Sequence, residues 1–179
     1  WYYLTGKPFM VRLDPGGLRK PKIYILGGDV AGRVEAIGKN VTQFQIGDEV
    51  YGDISDSGMG GFAEYVCALE SVIAHKPANL SFEEAAAAPS AAVTALQGIR
   101  DFSNIQSGQR VLINGASGGV GTYAVQIAKA RGAAWVAGVC SGGNADFVRG
   151  LGADQIVEYE SADFTAERWD AIIDCIGNR

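Results

Sequence analysis

Residues 114–133 read NGASGGVGTYAVQIAKARGA. A glycine cluster at the mouth of a helix lets backbone approach a bound pyrophosphate with no Cβ in the way. The helix behind it offers free N–H groups and the positive end of its dipole. The dinucleotide fingerprint asks for a small residue, a gap, Gly, two gaps, then Gly or Ala. Ala116, Gly118 and Gly121 fill those places, with Ser117, Gly119 and Val120 between them. Alanine at the first position is a mild departure. Gly121 is the residue that lets the helix pack close to a sheet. No Lys-Ser or Lys-Thr pair follows, so the triphosphate-binding loop does not fit. Such a cluster by itself is also an ordinary tight turn. The elements on either side decide between the two.

A second stretch chooses between cofactors. GVCSGGN (138–144) ends the next strand, where an Asp or Glu would bond the adenine ribose 2′-hydroxyl. Ser141, Gly142, Gly143 and Asn144 are small and uncharged there. They leave room and hydrogen-bond donors for a 2′-phosphate, which points to NADP(H). A plain loop, with Arg149 nearby as a solvated charge, is the other reading. Metal chemistry is poorly supplied. His75 is the only histidine, and Cys67, Cys140 and Cys175 lie far apart in apolar contexts. They read as free thiols of a reducing compartment, and no four-ligand zinc site of the usual kind can be assembled from them.

The elements that must hold these residues fall into two textures. Up to about residue 80, short β-branched runs are separated by glycine turns: 29–41, 46–53 with a turn at Gly47-Asp48, 60–68, and 71–77. They predict a β-rich barrel or sandwich. Ser81 with Glu84 three residues on is a capping box that opens a short helix ending before Pro89. Residues 90–102 read as a second helix. From Arg110 strand and helix alternate. Strands are expected at 110–114, 133–140, 155–159 and 170–177. Helices are expected at 119–132, with Val120, Ala124, Ile127, Ala128 and Arg131 on one face, and at 144–152, closed by Gly152. This order means a parallel sheet with right-handed crossovers. The expected fold is therefore α/β plus β-rich.

Of the 179 residues 47% are apolar, too many for a disordered chain, and the formal charge of −5 comes with no basic run, so a nucleic-acid partner is not indicated. The apolar stretch 85–96 is broken by Pro89, Ser90 and Thr94, so no membrane span is expected. The first residue is Trp1 and no signal peptide is visible, which reads as an interior fragment of a longer protein.

The chain resembles the medium-chain dehydrogenase/reductases, in their zinc-independent quinone-oxidoreductase-like branch. The resemblance runs through ILGGDVAGRVEAIGKNVTQFQIGDEVYG, GGFAEYV, KPANLSFEEAAAAPSAAVTALQGI, VLINGASGGVGTYAVQIAKARGA and LGADQIVEY, in that order. It implies part of a GroES-like catalytic domain over 1–88, then the first four strands of a Rossmann NADP-binding domain over 89–179. The opening strands of the one and the last two strands of the other would be missing. Where the zinc branch has Gly-His-Glu, this chain has Gly27, Gly28 and Asp29. The four-cysteine lobe of that branch is replaced by residues 51–65, which hold no cysteine.

The resemblance places Ser117, Gly119 and Val120 at the pyrophosphate, and Ser141 with Asn144 at the 2′-phosphate. Tyr159 falls at the adenosine phosphate, or is an edge aromatic covering the sheet. Thr94 falls near the nicotinamide, or is a helix-surface threonine. Gly177 falls beside the nicotinamide ribose, or is a strand-ending turn. Tyr2 matches a pocket aromatic whose phenol could donate a proton to a carbonyl or enolate oxygen, or it packs with Trp1 and Tyr3. The implied activity is hydride transfer from NADPH to a quinone, an enone or enal, or a related carbonyl, without zinc. Enoyl-thioester reduction and a non-catalytic NADPH-binding scaffold are the alternatives. The implied setting is a cytoplasmic homodimer acting on a small molecule.

Overall fold

The computed structural model describes residues 24–163 and 167–177. The chain divides into two compact units between Ser90 and Ala91.

In the first unit, β1 (Asp29–Arg33), β2 (Glu49–Asp53) and β3 (Ile73–His75) form an antiparallel sheet in that order. The register sets Asp29 opposite Asp53 and Val50 opposite His75. The expected turn at Gly47-Asp48 is present: Gly47 has φ +96°, and the Asp48 carboxylate accepts the Gln45 N–H at 2.9 Å. Phe44 is buried and its ring lies 4.9 Å from that of His75, the one histidine, which is otherwise exposed. Helix α1 (Phe82–Ala86) opens on the capping box read from the sequence. Ser81 Oγ accepts the Glu84 N–H at 3.1 Å, and the Glu84 carboxylate accepts the Ser81 N–H at 2.8 Å.

One expectation fails here. Residues 60–68 alternate like a strand but form none. The chain turns through positive φ at Gly58, Met59 and Gly60, and among the described residues Gly61 and Phe62 bond back to the carbonyls of Gly27 and Leu26. Phe62 and Tyr65 point to solvent. Among the described residues no longer segment bonds the N–H and C=O groups of this stretch, and a strand needs such a ladder.

Helix α2 (Pro89–Gln97) continues as a wider π-type turn over 98–102 and so ends its regular part earlier than the expected 90–102. In the second unit, β4 (Arg110–Asn114), β5 (Trp135–Cys140), β6 (Gln155–Glu158) and β7 (Ala171–Asp174) make a parallel sheet in the order β6-β5-β4-β7. Val111–Asn114 and Val136–Cys140 are buried without a break, as continuous apolar runs in a parallel sheet should be. Helices α3 (Gly119–Ala130) and α4 (Ala145–Gly150) are the crossovers. Gly121, Ala124, Val125 and Ala128 form the buried stripe of α3, with Val120 and Ile127 packed beside it. Arg131, expected on that face, is exposed and bonds the Ile105 carbonyl. Gly152, with φ +106°, stops the chain after α4 as expected. Order 3-2-1-4 in strands brings the ends of all four to one edge, where open α/β sheets bind ligands.

Candidate functional site at the carboxyl edge of the parallel sheet

The turn after β4 is set by two glycines. Gly115 sits at φ +78°, and a Cβ there would lie 2.6 Å from Ile176 Cδ1. A Cβ on Gly121 would lie 2.1 Å from the Gly115 carbonyl oxygen. No side chain fits at 121, so the first turn of α3 folds directly against the loop. Gly118 is the N-cap, and the first helical hydrogen bond runs from Thr122 N–H to the Gly118 carbonyl. The amides of Gly119, Val120 and Gly121 therefore lie in the turn whose N–H groups have no helical acceptor. Gly118 and Gly119 are exposed, and nothing stands closer than 4.0 Å to a Cβ built on Gly119. Backbone donors, the helix dipole and an open approach are what a phosphate needs. These residues fit a dinucleotide pyrophosphate.

Ala116 plays its part from the other side. It is fully buried, and its N–H is bonded to the Val139 carbonyl at 2.9 Å. It anchors the turn to β5, and its methyl group sits over Gly138, where a Cβ would lie 3.0 Å from it.

The structure brings Ser117, Ser141 and Asn144 together. The Asn144 side-chain amide donates to Ser117 Oγ at 3.3 Å and to Ser141 Oγ at 3.1 Å. Arg149 is not part of this group, since its guanidinium is paired with Asp146 and exposed. The Tyr159 N–H bonds the Cys140 carbonyl at 3.3 Å, which seats Tyr159 beside the same loop with its ring exposed. Thr94 is exposed on α2, one turn after Ala91, the residue whose Cβ faces Gly119. Gly177 has φ +70° and follows β7 at the same edge. Tyr2 lies outside the described residues.

Two features of this edge could not be read locally. Asn114, the one buried polar residue among those described, donates to Asp174 Oδ1 at 2.9 Å. The same oxygen accepts the N–H groups of Ile176 and Gly177, at 3.0 and 3.3 Å. This clamp ties the end of β4 to the loop after β7 across 60 positions of sequence. Second, Glu158 ends β6 opposite Cys140. Burial pushes the Cys140 thiol above its ordinary pKa, and the Glu158 carboxylate adds to that. In the first unit, a Cβ on Gly28 would meet the Ser55 hydroxyl, so a side chain there needs that hydroxyl to turn aside.

Two family models match the chain: the alcohol dehydrogenase GroES-like domain over residues 5–78 and the zinc-binding dehydrogenase over residues 119–179. A quinone-oxidoreductase homolog, chloroplastic, from Spinacia oleracea is 44% identical over 166 residues, covering 88% of this chain and 50% of that protein. The 2-methylene-furan-3-one reductase of Solanum lycopersicum is 39% identical, over 88% of this chain and 42% of that protein. The solved quinone oxidoreductase from Coxiella burnetii superposes with TM-score 0.86 at 35% identity, over 99% of this chain and 55% of that one. The chain belongs to the medium-chain dehydrogenase/reductases, in the quinone oxidoreductase-like group.

As a medium-chain dehydrogenase/reductase chain it has the two-part architecture that the resemblance implied, GroES-like then Rossmann-like. It spans about half the length of the curated relatives that it matches. Among the described residues no helix is long and apolar enough to cross a membrane. No group of three or more His, Cys, Asp or Glu among them is placed to hold a metal.

Proposed function

We propose that the whole protein is a reductase that uses NADPH to reduce a quinone, an enone or enal, or a related conjugated carbonyl, without zinc. The observation that carries this reading is the gathering of Ser117, Ser141 and Asn144 beside the open first turn of α3, with no acid ending β5. NADPH would supply the hydride. The residues of this chain bind and orient. The amides of 119–121 would take the pyrophosphate, and Ser141 with Asn144 the 2′-phosphate. Tyr159 would lie along the adenosine, and Thr94 and Gly177 would flank the nicotinamide end. Tyr2 is the proposed proton donor to the carbonyl or enolate oxygen. The division of labour proposed is residues 1–88 for the substrate side and 89–179 for the cofactor.

The names of the Spinacia and Solanum relatives, a quinone-oxidoreductase homolog and a 2-methylene-furan-3-one reductase, support a quinone or an enone as acceptor. Zinc independence is supported by Gly28, which stands where the zinc branch has its histidine. Three free cysteines suit a reducing aqueous compartment, the cytoplasm or an organelle interior such as that named for the Spinacia relative. We carry the homodimer in the same proposal, to be checked by mass in solution.

The test is loss of NADPH absorbance by the chelated, metal-analysed whole protein with a quinone, an enone and a crotonyl thioester in turn. Turnover of the quinone or enone by protein holding no stoichiometric zinc is expected. Turnover of the thioester alone would give the enoyl-reductase alternative. NADPH binding with no turnover of any acceptor would replace the enzyme by a binding scaffold.

A further inference from the structure

The loop after β5 has a charged neighbour supplied by the next strand. β5 and β6 run parallel with Cys140 opposite Glu158, so Glu158 stands at the carboxyl edge beside the last residue of β5. Its carboxylate leans over the loop: Oε2 lies 2.9 Å from where a Cβ on Gly142 would be. Gly142 follows Ser141 directly, and the loop turns back at once, with the Asn144 N–H bonded to the Ser141 carbonyl at 3.0 Å. The Glu158 carboxylate is exposed, and none of the ion pairs among the described residues uses it. Arg149, whose charge acts on Cys140 alongside that of Glu158, is held by Asp146. Glu158 therefore presents an uncompensated negative charge to the same few residues that offer Ser141 Oγ and the Asn144 amide.

We propose that Glu158 is a specificity-determining residue, which opposes the 2′-phosphate of NADPH and offers an acceptor to the ribose hydroxyls of NADH, so that the protein accepts both cofactors. The proposal rests on the reading that the adenosine ribose docks at Ser141 and Asn144. The acid that selects NADH ordinarily ends the second strand of the sheet. Here that place holds Ser141, and the carboxylate reaches the loop from the side, off the third strand. A charge acting at longer range through partly solvated space discriminates less than one in direct contact, and salt weakens it further.

The test measures dissociation constants of NADPH and NADH for the whole protein, for Glu158→Gln and for Ser141→Asp, at low and high ionic strength. Glutamine keeps the shape and removes the charge. The expected result for Glu158→Gln is a shift of the NADPH-to-NADH preference toward NADPH of about three- to tenfold at low salt, shrinking as salt is added. A merely structural role would move both constants together and leave their ratio and its salt dependence alone. An unchanged ratio in Glu158→Gln, with Ser141→Asp still turning against NADPH, would overturn the role of Glu158 and leave the docking reading standing. No change of ratio in either variant would overturn both.

Discussion

In the proposed reading, Ser141 is the residue on which cofactor choice turns most directly. It follows the last residue of β5, and its hydroxyl is tied to Ser117 through the Asn144 amide. A 2′-phosphate carries close to two negative charges. An Asp at 141 would meet it at contact range, while giving the 2′- and 3′-hydroxyls of NADH a bidentate acceptor. A clash of that kind costs on the order of 2–4 kcal/mol, or roughly 30- to 1,000-fold in affinity. Ser141→Asp should therefore weaken NADPH strongly and leave NADH equal or tighter, as read by fluorescence titration of both cofactors. An unchanged NADPH constant would mean that the 2′-phosphate lies elsewhere. The positions of Ser141 and Asn144 were legible because they follow a recognisable strand by one to four residues. Glu158 and the Asn114–Asp174 clamp were not. Each depends on which residues of separate strands come level across the sheet, and that register is not written in either strand alone.

At the scale of elements, Asp154 joins a helix to a strand. Its carboxylate accepts the buried Val136 N–H at 2.7 Å, at the start of β5, and pairs with Lys129 in the last turn of α3 at 2.9 Å. Burial alone would raise its pKa, but the Val136 amide and Lys129 together outweigh that and hold it below the usual value of 3.8. A carboxylate lowered on folding adds stability that is complete above its unfolded pKa and lost as pH falls through the folded one. Asp154→Ala should cost about 1–3 kcal/mol near neutral pH, since it strands a buried N–H. The gap between variant and parent should close as pH drops below about 4. Urea unfolding at a series of pH values measures this, and a gap that persisted undiminished at low pH would mean that the carboxylate charge is not what binds α3 to β5. Elements with a local signal were readable in advance: the Ser81–Glu84 capping box, the Gly47-Asp48 turn and the strand-turn-helix of 110–130. Residues 60–68 were misread because alternation reports a possible face, while a strand also needs a ladder of backbone bonds, and the positive-φ turn at 58–60 leads into a stretch that forms none among the described residues.

For the molecule as a whole, the parallel sheet raises the question of its own border. β7 pairs with β4 on one side, and among the described strands none lies on its other side. Ile172 on β7 and Ile176 just after it are 57% and 61% exposed. An open strand edge with apolar side chains is a template for another chain, since its N–H and C=O groups gain partners and its side chains leave water together. No proline or lysine lies within Ala171–Asp174 to blunt it. The 179-residue chain, prepared by itself, should therefore associate as its concentration rises through the micromolar range. Ile172→Lys should oppose this twice, by removing exposed apolar surface and by setting like charges against each other in any edge-to-edge pair. Because Ile172 faces solvent while Ile173 packs on the core, the substitution should leave the unfolding midpoint of the monomer within about 0.5 kcal/mol. Sedimentation equilibrium over a concentration series decides it. A parent chain that stayed monomeric throughout, or a lysine variant that associated as strongly as the parent, would mean that the β7 edge is not the surface that joins copies.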